Sequence, residues 1–411
     1  MTIKSPDIPQ EQINSIITLF SNGQIQEALD SVKTLIKSYP NDPVLYNISG
    51  ACYAGLGQFD TAVKNYKKSL AIKTDYAEAH NNLAGTLQEL GQLDAAVKSY
   101  EQALAIKPNY AEAFNNLGSA LKELGQLDTA VKSYKQILAI NPDFAEAHFN
   151  LGVSLQGLGQ LDSAVKSYEK ALDVKPDYAE AHNNLGNTLN DLDQHDNAVQ
   201  SYKKALAIKP DFAVAYNSLG FTLQELGQLD EAVKCFEKAI AIKPDFADAY
   251  NNLGNTLKDL GQLDAAVKNY EKTLTIKPDY AEVYNNLGFT LQELDQLDAA
   301  LKSFEQALAI KPNYAEAHNN LGLALMELNQ LDAALKSFEQ ALAIKPDFPE
   351  AHFNRGRLMA GLKGMDEALV NYERAFILNP NLDFLLGQSI HTKMHLCLWD
   401  DLPNRLNELT N

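Results

Sequence analysis

A 34-residue pattern repeats along this 411-residue chain without slipping phase, and it constrains the fold more than any other feature. The segment 77–110 reads AEAHNNLAGTLQELGQLDAAVKSYEQALAIKPNY, and 111–144 repeats it with few changes. Copies start at residues 9, 43, 77, 111, 145, 179, 213, 247, 281, 315 and 349, so eleven repeats run from Pro9 to Leu382. A leader, 1–8, and a tail, 383–411, fall outside them. In such an array each repeat contacts only its neighbours, so length no longer measures the number of domains.

Numbered 1–34 within a repeat, apolar or small residues fall at 3, 7, 8, 11 and 14, the spacing of one face of an amphipathic helix. In the third repeat these are Ala79, Leu83, Ala84, Leu87 and Leu90, and Gly91 follows as a helix stop. A second stripe, Leu93, Ala96, Val97, Tyr100, Ala103, Leu104 and Ile106, predicts helix B, with Asp94 near its start and Pro108 beyond its end. Each repeat is therefore a helical hairpin. Asp75 with Glu78, Asp143 with Glu146 and Asp177 with Glu180 read as capping boxes for the next helix A. Lys107 suits the negative end of helix B.

A lone hairpin of such short helices is marginal in water, so the apolar stripes require stacking. Position 8 is glycine nine times, as in Gly50, Gly118, Gly186 and Gly356, although each mid-helix glycine costs about 1 kcal/mol. Close approach of helix B is the expected compensation, with the small residues of position 20, such as Ala96, Ala130 and Ala164, as the contact.

This pattern resembles the tetratricopeptide repeat (TPR). In the fourth repeat the resemblance is carried by Phe114, Leu117, Gly118, Ala130, Tyr134 and Pro142, with Ile137 where most repeats have Ala. It implies an all-α, right-handed superhelix of about eleven helix-turn-helix repeats, with helix A lining a concave groove that binds peptides. Periodicity alone predicts only a helical solenoid.

The polar stripe of helix A, positions 2, 5, 6, 9 and 13, faces away from the packed stripe. Position 6 is Asn82, Asn116, Asn150, Asn184, Asn252, Asn286, Asn320 and Asn354, interrupted by Ser218. Asn is a poor helix former, and its amide both donates and accepts, so it can pair with the backbone of an extended peptide. Two readings stand: an amide ladder along a groove, or hydrogen bonding between neighbouring helices. Position 5 adds Asn115, Asn183 and Asn251, interrupted by Phe149 and Phe353, which are either apolar anchors or extra packing. TPR proteins that clamp an acidic C-terminus place Lys or Arg at positions such as 2, 5 and 6, where this chain has none. Arg355, at position 7, and Arg357 are the arginines of helix A.

No catalytic motif stands out. His80, His148, His182, His318 and His352 share position 4 with Tyr and Phe, which makes them packing residues, and His195 has no assigned role. His391 and His395 have metal-ligand spacing, with Cys397 nearby, but lack a further ligand at a fitting distance. No metal or other cofactor is expected.

In the tail, Leu385, Leu386, Ile390 and Met394 share one helical face and predict a C-terminal capping helix. The run 385–402 is similar to the segment after the array in bacterial SPINDLY-like O-linked N-acetylglucosamine transferases, which implies a substrate-recruiting arm whose glycosyltransferase domain is missing here.

The formal charge of −18, from 35 Lys and Arg against 53 Asp and Glu, disfavours nucleic acid and anionic membranes as partners. Three scattered cysteines, no apolar membrane-length run and no signal-peptide pattern suggest a cytoplasmic protein. The sequence thus predicts a non-catalytic scaffold that binds extended peptide segments of other proteins. A self-associating assembly scaffold is the further alternative.

Overall fold

The computed structural model describes residues 9–398, so the leader 1–8 and the sole tryptophan, Trp399, lie outside the described residues. It contains 23 helices and no strand among those residues, and the helices alternate A and B through all eleven repeats. In repeat 3, helix A is Ala77–Glu89 and helix B is Leu93–Ile106. Two compact units divide the chain, Met1–Pro210 and Asp211–Asn411, and the division falls in the last residues of repeat 6. Each unit is a solenoid in which every hairpin packs on the next. Within each, helices A of consecutive repeats from repeat 2 onward touch one another, whereas consecutive helices B do not approach as closely. Each stack therefore bends towards its helix-A side.

The turn inside each hairpin requires a left-handed residue. Gly91 has φ +70°, and its N–H and that of Gln92 donate to the carbonyls of Gln88 and Leu87 at 2.8 Å each. Asp193, Asp295, Asn329 and Lys363 occupy the same left-handed position in their repeats at φ +57° to +66°. Asp and Asn tolerate that conformation better than other side chains, and Lys363 does not share their advantage.

The capping boxes do not form. The residue preceding helix A is aromatic, Tyr76, Phe144 or Tyr178, and no side chain bonds the helix start there. Asp75 lies one residue too early and Glu78 one position short of the box geometry. Glu78 instead accepts from Lys107 at 3.1 Å, and that lysine also lies 4.4 Å above the Tyr110 ring. Among the described helices Asp42 is the exception, accepting from the N–H groups of Val44 and Leu45 at 2.8 and 3.2 Å.

The recurrent glycine also meets a different partner from the one expected. A Cβ built on Gly186 would lie 2.6 Å from Cε1 of Tyr202, the aromatic at position 24, and not against the alanine at position 20. Gly118 meets Tyr134 at 2.6 Å and Gly322 meets Phe338 at 2.6 Å in the same way. Helix A is bare there so that a fully buried ring of helix B can lie on its backbone; Tyr134, Tyr168 and Phe304 have no exposed surface.

Beyond repeat 11 a final helix, Leu385–His395, covers the apolar end of the array. Leu385 joins Met359, Ala368, Tyr372 and Ala375, and Ile390 is buried as well. Met394 is not part of this face and is 47% exposed. The buried face instead follows Leu385, Ser389, Thr392 and Lys393, with Lys393 paired to Glu373 at 3.2 Å.

Gly186→Leu should destabilise the protein by about 2–3 kcal/mol through overpacking against Tyr202, with faster amide exchange concentrated in repeat 6. Unchanged exchange there would remove the ring-on-glycine contact as a structural requirement.

Candidate functional site

The inner face of each unit is built from the helix-A positions left over by packing. Positions 3, 7, 8 and 11 enter the core, as do Ala181, Leu185, Gly186 and Leu189 in repeat 6. Positions 2, 9, 12 and 13 project from the opposite side. Three rows of hydrogen bonds cross this face from one repeat to the next.

The first row is the amide series. Nδ2 of Asn82, Asn116 and Asn150 donates to Oδ1 of Asn47, Asn81 and Asn115 at 3.1, 3.3 and 3.3 Å. In the second unit Asn252, Asn320 and Asn354 donate to Asn217, Asn285 and Asn319 at 3.1, 3.0 and 2.9 Å. Position 6 of one repeat thus binds position 5 of the repeat before it. In the second row Asn81 and Asn115 donate onward to Glu112 and Glu146 at 3.3 and 3.2 Å. In the third, Gln156, Gln224 and Gln292 donate to Asp191, Asp259 and Glu327 at 3.4, 3.3 and 2.7 Å.

These bonds locate the residues singled out from sequence. Asn82, Asn116, Asn150, Asn184, Asn252, Asn286 and Asn320 are half-buried on the inner face, while Asn354 is buried. Asn115 and Asn183 are 8% and 3% exposed, so they brace the wall from within and do not form its surface. The series breaks where the partner changes. Asn184 faces a repeat with Phe149 in place of the position-5 amide, and its Oδ1 accepts from Asn183 at 3.2 Å. Asn286 donates to Asn255 at 3.2 Å, leaving the buried Oδ1 of Asn251 without a donor. Phe149 lies 4.9 Å from the Tyr178 ring and 5.9 Å from Tyr168, and Phe353 lies 5.9 Å from Tyr372, so both rings pack within the wall. Arg355 is drawn to Asn371 at 3.2 Å and Glu339 at 3.6 Å.

Sequence reasoning placed position 9 on the polar stripe but missed the large apolar residues it carries. Repeats 3, 4, 6 and 8 have Gly85, Ser119, Asn187 and Asn255 there, but repeats 7 and 9 carry Phe221 and Phe289, 44% and 37% exposed on the inner face. Val214, at position 2 beside Phe221, is 44% exposed. The available signal was a column without a consensus, running from Gly85 and Ser119 to Val153, Leu323 and Arg357, in which two repeats share a large ring.

Carboxylates at position 2 are partly neutralised by lysines ending helix B: Lys209 to Glu180 at 3.3 Å, Lys311 to Glu282 at 2.9 Å and Lys345 to Glu316 at 3.4 Å. The Lys311 hydrogen bond, helped by the glutamate's own backbone N–H, holds the Glu282 carboxyl below its ordinary value.

The position-4 histidines are structural. Nε2 of His148, His182, His318 and His352 bonds the carbonyl of the proline preceding its repeat at 2.9–3.1 Å. The Tyr46 hydroxyl does the same to Pro40 at 3.0 Å, which explains why the two residue types interchange. His182 is 8% exposed and lines an outer cleft of about 580 Å³ between helices B of repeats 5 and 6. Burial lowers its pKa from 6.5, the Pro176 bond opposes this, and the Lys204 charge adds to the lowering. His391 and His395 stack edge to face at 4.5 Å. Among the described residues there is no group of three or more side chains able to hold a metal ion, and no helix long and apolar enough to cross a membrane.

Comparison with known proteins extends this picture. Family models described as TPR repeat match six segments between residues 50 and 261, and models described as tetratricopeptide repeat match 245–313, 279–347 and 322–383. A peroxisomal targeting signal receptor of Kluyveromyces lactis is 29% identical over 76 residues, 18% of this chain and 13% of the receptor. A TPR repeat-containing protein of Methanocaldococcus jannaschii is 36% identical over 75 residues, 18% of this chain and 23% of that protein. The chain therefore spans less than a quarter of either curated relative. The solved structure of the APC/C hetero-tetramer Cut9-Hcn1 aligns over 94% of this chain and 97% of its own, with TM-score 0.51 and 14% identity, a likeness of fold.

Two measurements check this geometry. Asn116→Leu should cost about 1–3 kcal/mol in denaturant unfolding, because Oδ1 of Asn81 loses its donor beneath the wall. Wild-type stability would remove the amide series as a brace. Because unfolding returns His182 to an ordinary pKa of 6.5 from a lower folded value, the unfolded chain binds more protons as pH falls. Repeat 6 should therefore be most stable above pH 6.5 and lose protection below it, and His182→Phe should flatten that dependence.

Proposed function

The chain belongs to the tetratricopeptide repeat family, and on that premise we propose that it is a protein-interaction scaffold holding extended segments of partner proteins along its helix-A faces. The observation that supports this most is the division of labour within helix A. One side is consumed by packing, while the other presents half-exposed amides in most repeats, with carboxylates and, in particular repeats, apolar groups beside them. Each amide can make more hydrogen bonds than the one that braces its neighbour, since it has two N–H groups and two lone pairs. With helices about 8–10 Å apart and extended peptide residues about 3.3 Å apart, one repeat meets about every third residue of such a segment. Backbone contact of that kind tolerates many sequences. A relative named a targeting signal receptor is in keeping with this reading. Without Lys or Arg at positions 2, 5 and 6, the face does not select an acidic C-terminus.

Ser119 and Val153 occupy position 9 on the inner face of the first unit and are half-exposed. The double variant Ser119→Arg and Val153→Arg places two long charged side chains across the path of a bound segment without entering the core. Peptides selected from a random, unstructured library on the wild-type protein should protect the helix-A amides of repeats 3–6 from exchange. The double variant should weaken those peptides at least about tenfold. Protection confined to helices B, or full binding by the variant, would rule out the helix-A face as the site.

A further inference from the structure

The two units do not present the same chemistry. In the second, Phe221 and Phe289 stand exposed on the inner face two repeats apart, with Val214 beside the first. Phe236, Phe304 and Phe338 on helices B are 0% exposed, whereas these two rings reach solvent at equivalent positions of helix A; Phe384, 82% exposed, lies beyond the repeats. Between them, in repeat 8, lies Asn251, whose Oδ1 lacks a donor. Lys258 reaches over the Phe289 ring at 5.6 Å, which shows that a cation is accommodated on it. Position 13 runs alongside as Glu225, Asp259, Glu293 and Glu327, and Lys258 is the one Lys or Arg on helices A of repeats 7–10 (Ala213–Glu225, Ala247–Asp259, Ala281–Glu293 and Ala315–Glu327).

We propose that the unit Asp211–Asn411 selects extended segments in which apolar side chains about six residues apart are separated by Lys or Arg. The spacing follows from the repeat: two steps of about 8–10 Å place the rings on the order of 20 Å apart, or about six extended residues. An even separation keeps both apolar side chains on one side of the segment, since successive side chains alternate. The intervening cations meet the position-13 carboxylates, and Arg stacks on the ring faces as Lys258 does. Apolar contact at two points sets register, and the acidic row sets charge preference. This inference rests on the helix-A reading and specifies the partner class for one unit of it.

The test uses the full chain and two fluorescein-labelled ten-residue peptides, both with Leu at their second and eighth positions. One carries Lys at three of the intervening positions and the other Glu, with Ser and Thr elsewhere. The Lys peptide should bind at least about tenfold more tightly and weaken several-fold on raising salt from about 50 to 500 mM. Phe221→Ser with Phe289→Ser should weaken it at least about tenfold. Neither ring belongs to the buried core, so the variant should remain folded with unchanged helical content, and Phe221→Leu with Phe289→Leu should restore most of the binding. Equal affinity for both peptides, still displaced by the ring variant, would overturn the charge preference while leaving the helix-A face as a binding site. Tight Lys-peptide binding unaffected by the ring variant would overturn the proposed anchors. Failure of both peptides, together with failure of library-selected peptides to protect helix A, would overturn the helix-A reading as well. Self-association abolished by the ring variant, without peptide binding, would assign the rings to a second copy and overturn the proposal.

Discussion

The contact of an aromatic ring on bare helical backbone sets the geometry of nine of the eleven hairpins. At position 8 helix A gives up its Cβ, and the position-24 ring of helix B occupies the space, as Tyr202 does on Gly186. A close-packed interior transmits such a choice outward, because neighbouring side chains have no free volume in which to absorb a shift. The ring burial is complete in Tyr134, Tyr168, Phe236 and Phe304. Repeat 3 has Ala84 in place of glycine, and its Tyr100 hydroxyl donates to Gln88 at 3.2 Å as Tyr168 does to Gln156 at 3.0 Å in repeat 5. The hydrophobic effect drives the hairpins together, but this close approach fixes how far apart the two helices sit. Everything on the inner face inherits its spacing from that distance.

Hydrogen bonds then convert a stack of hairpins into a continuous wall. The amides at positions 5 and 6 face one another across repeats, and each buried acceptor needs a donor from its neighbour. The wall is braced where Asn116 meets Asn81 and interrupted where Phe149 or Asn286 breaks the pattern. Under the proposed helix-A reading, interruption matters as much as continuity. A perfectly repeated face would offer a partner no register, whereas Phe221 and Phe289 single out particular repeats. Other ties join the repeats as well: Tyr46 and histidines such as His148 at position 4 bond a carbonyl at the end of the preceding repeat, and Lys107 at the end of helix B meets both the Glu78 carboxylate and the Tyr110 ring.

Much of the fold was legible in the residues. Hairpin boundaries followed from stripe spacing, and the left-handed turn at Gly91 followed from glycine after the last apolar residue. The capping reading failed because one position of offset, which periodicity does not resolve, puts Tyr76 and not Asp75 at the helix start. The glycine was recognised as a contact but given the wrong partner, since Ala130 and Tyr134 lie on one face of helix B and only packing decides which reaches Gly118. On the inner face, sequence drew attention to asparagine because it recurs. The exposed rings were overlooked because they do not recur in every repeat.

The sequence by itself determined that this chain stacks eleven helical hairpins, because a 34-residue period of amphipathic stripes leaves no other way to bury them. It also determined which residue types line helix A. The tertiary structure decided which of those residues reach solvent. Positions 5 and 6 are adjacent in the chain, yet one amide is buried as acceptor and the other remains half-exposed as donor, as in Asn81 and Asn116. That difference arises from the placement of the neighbouring repeat, and neighbour placement is a property of packing between hairpins that no single period contains.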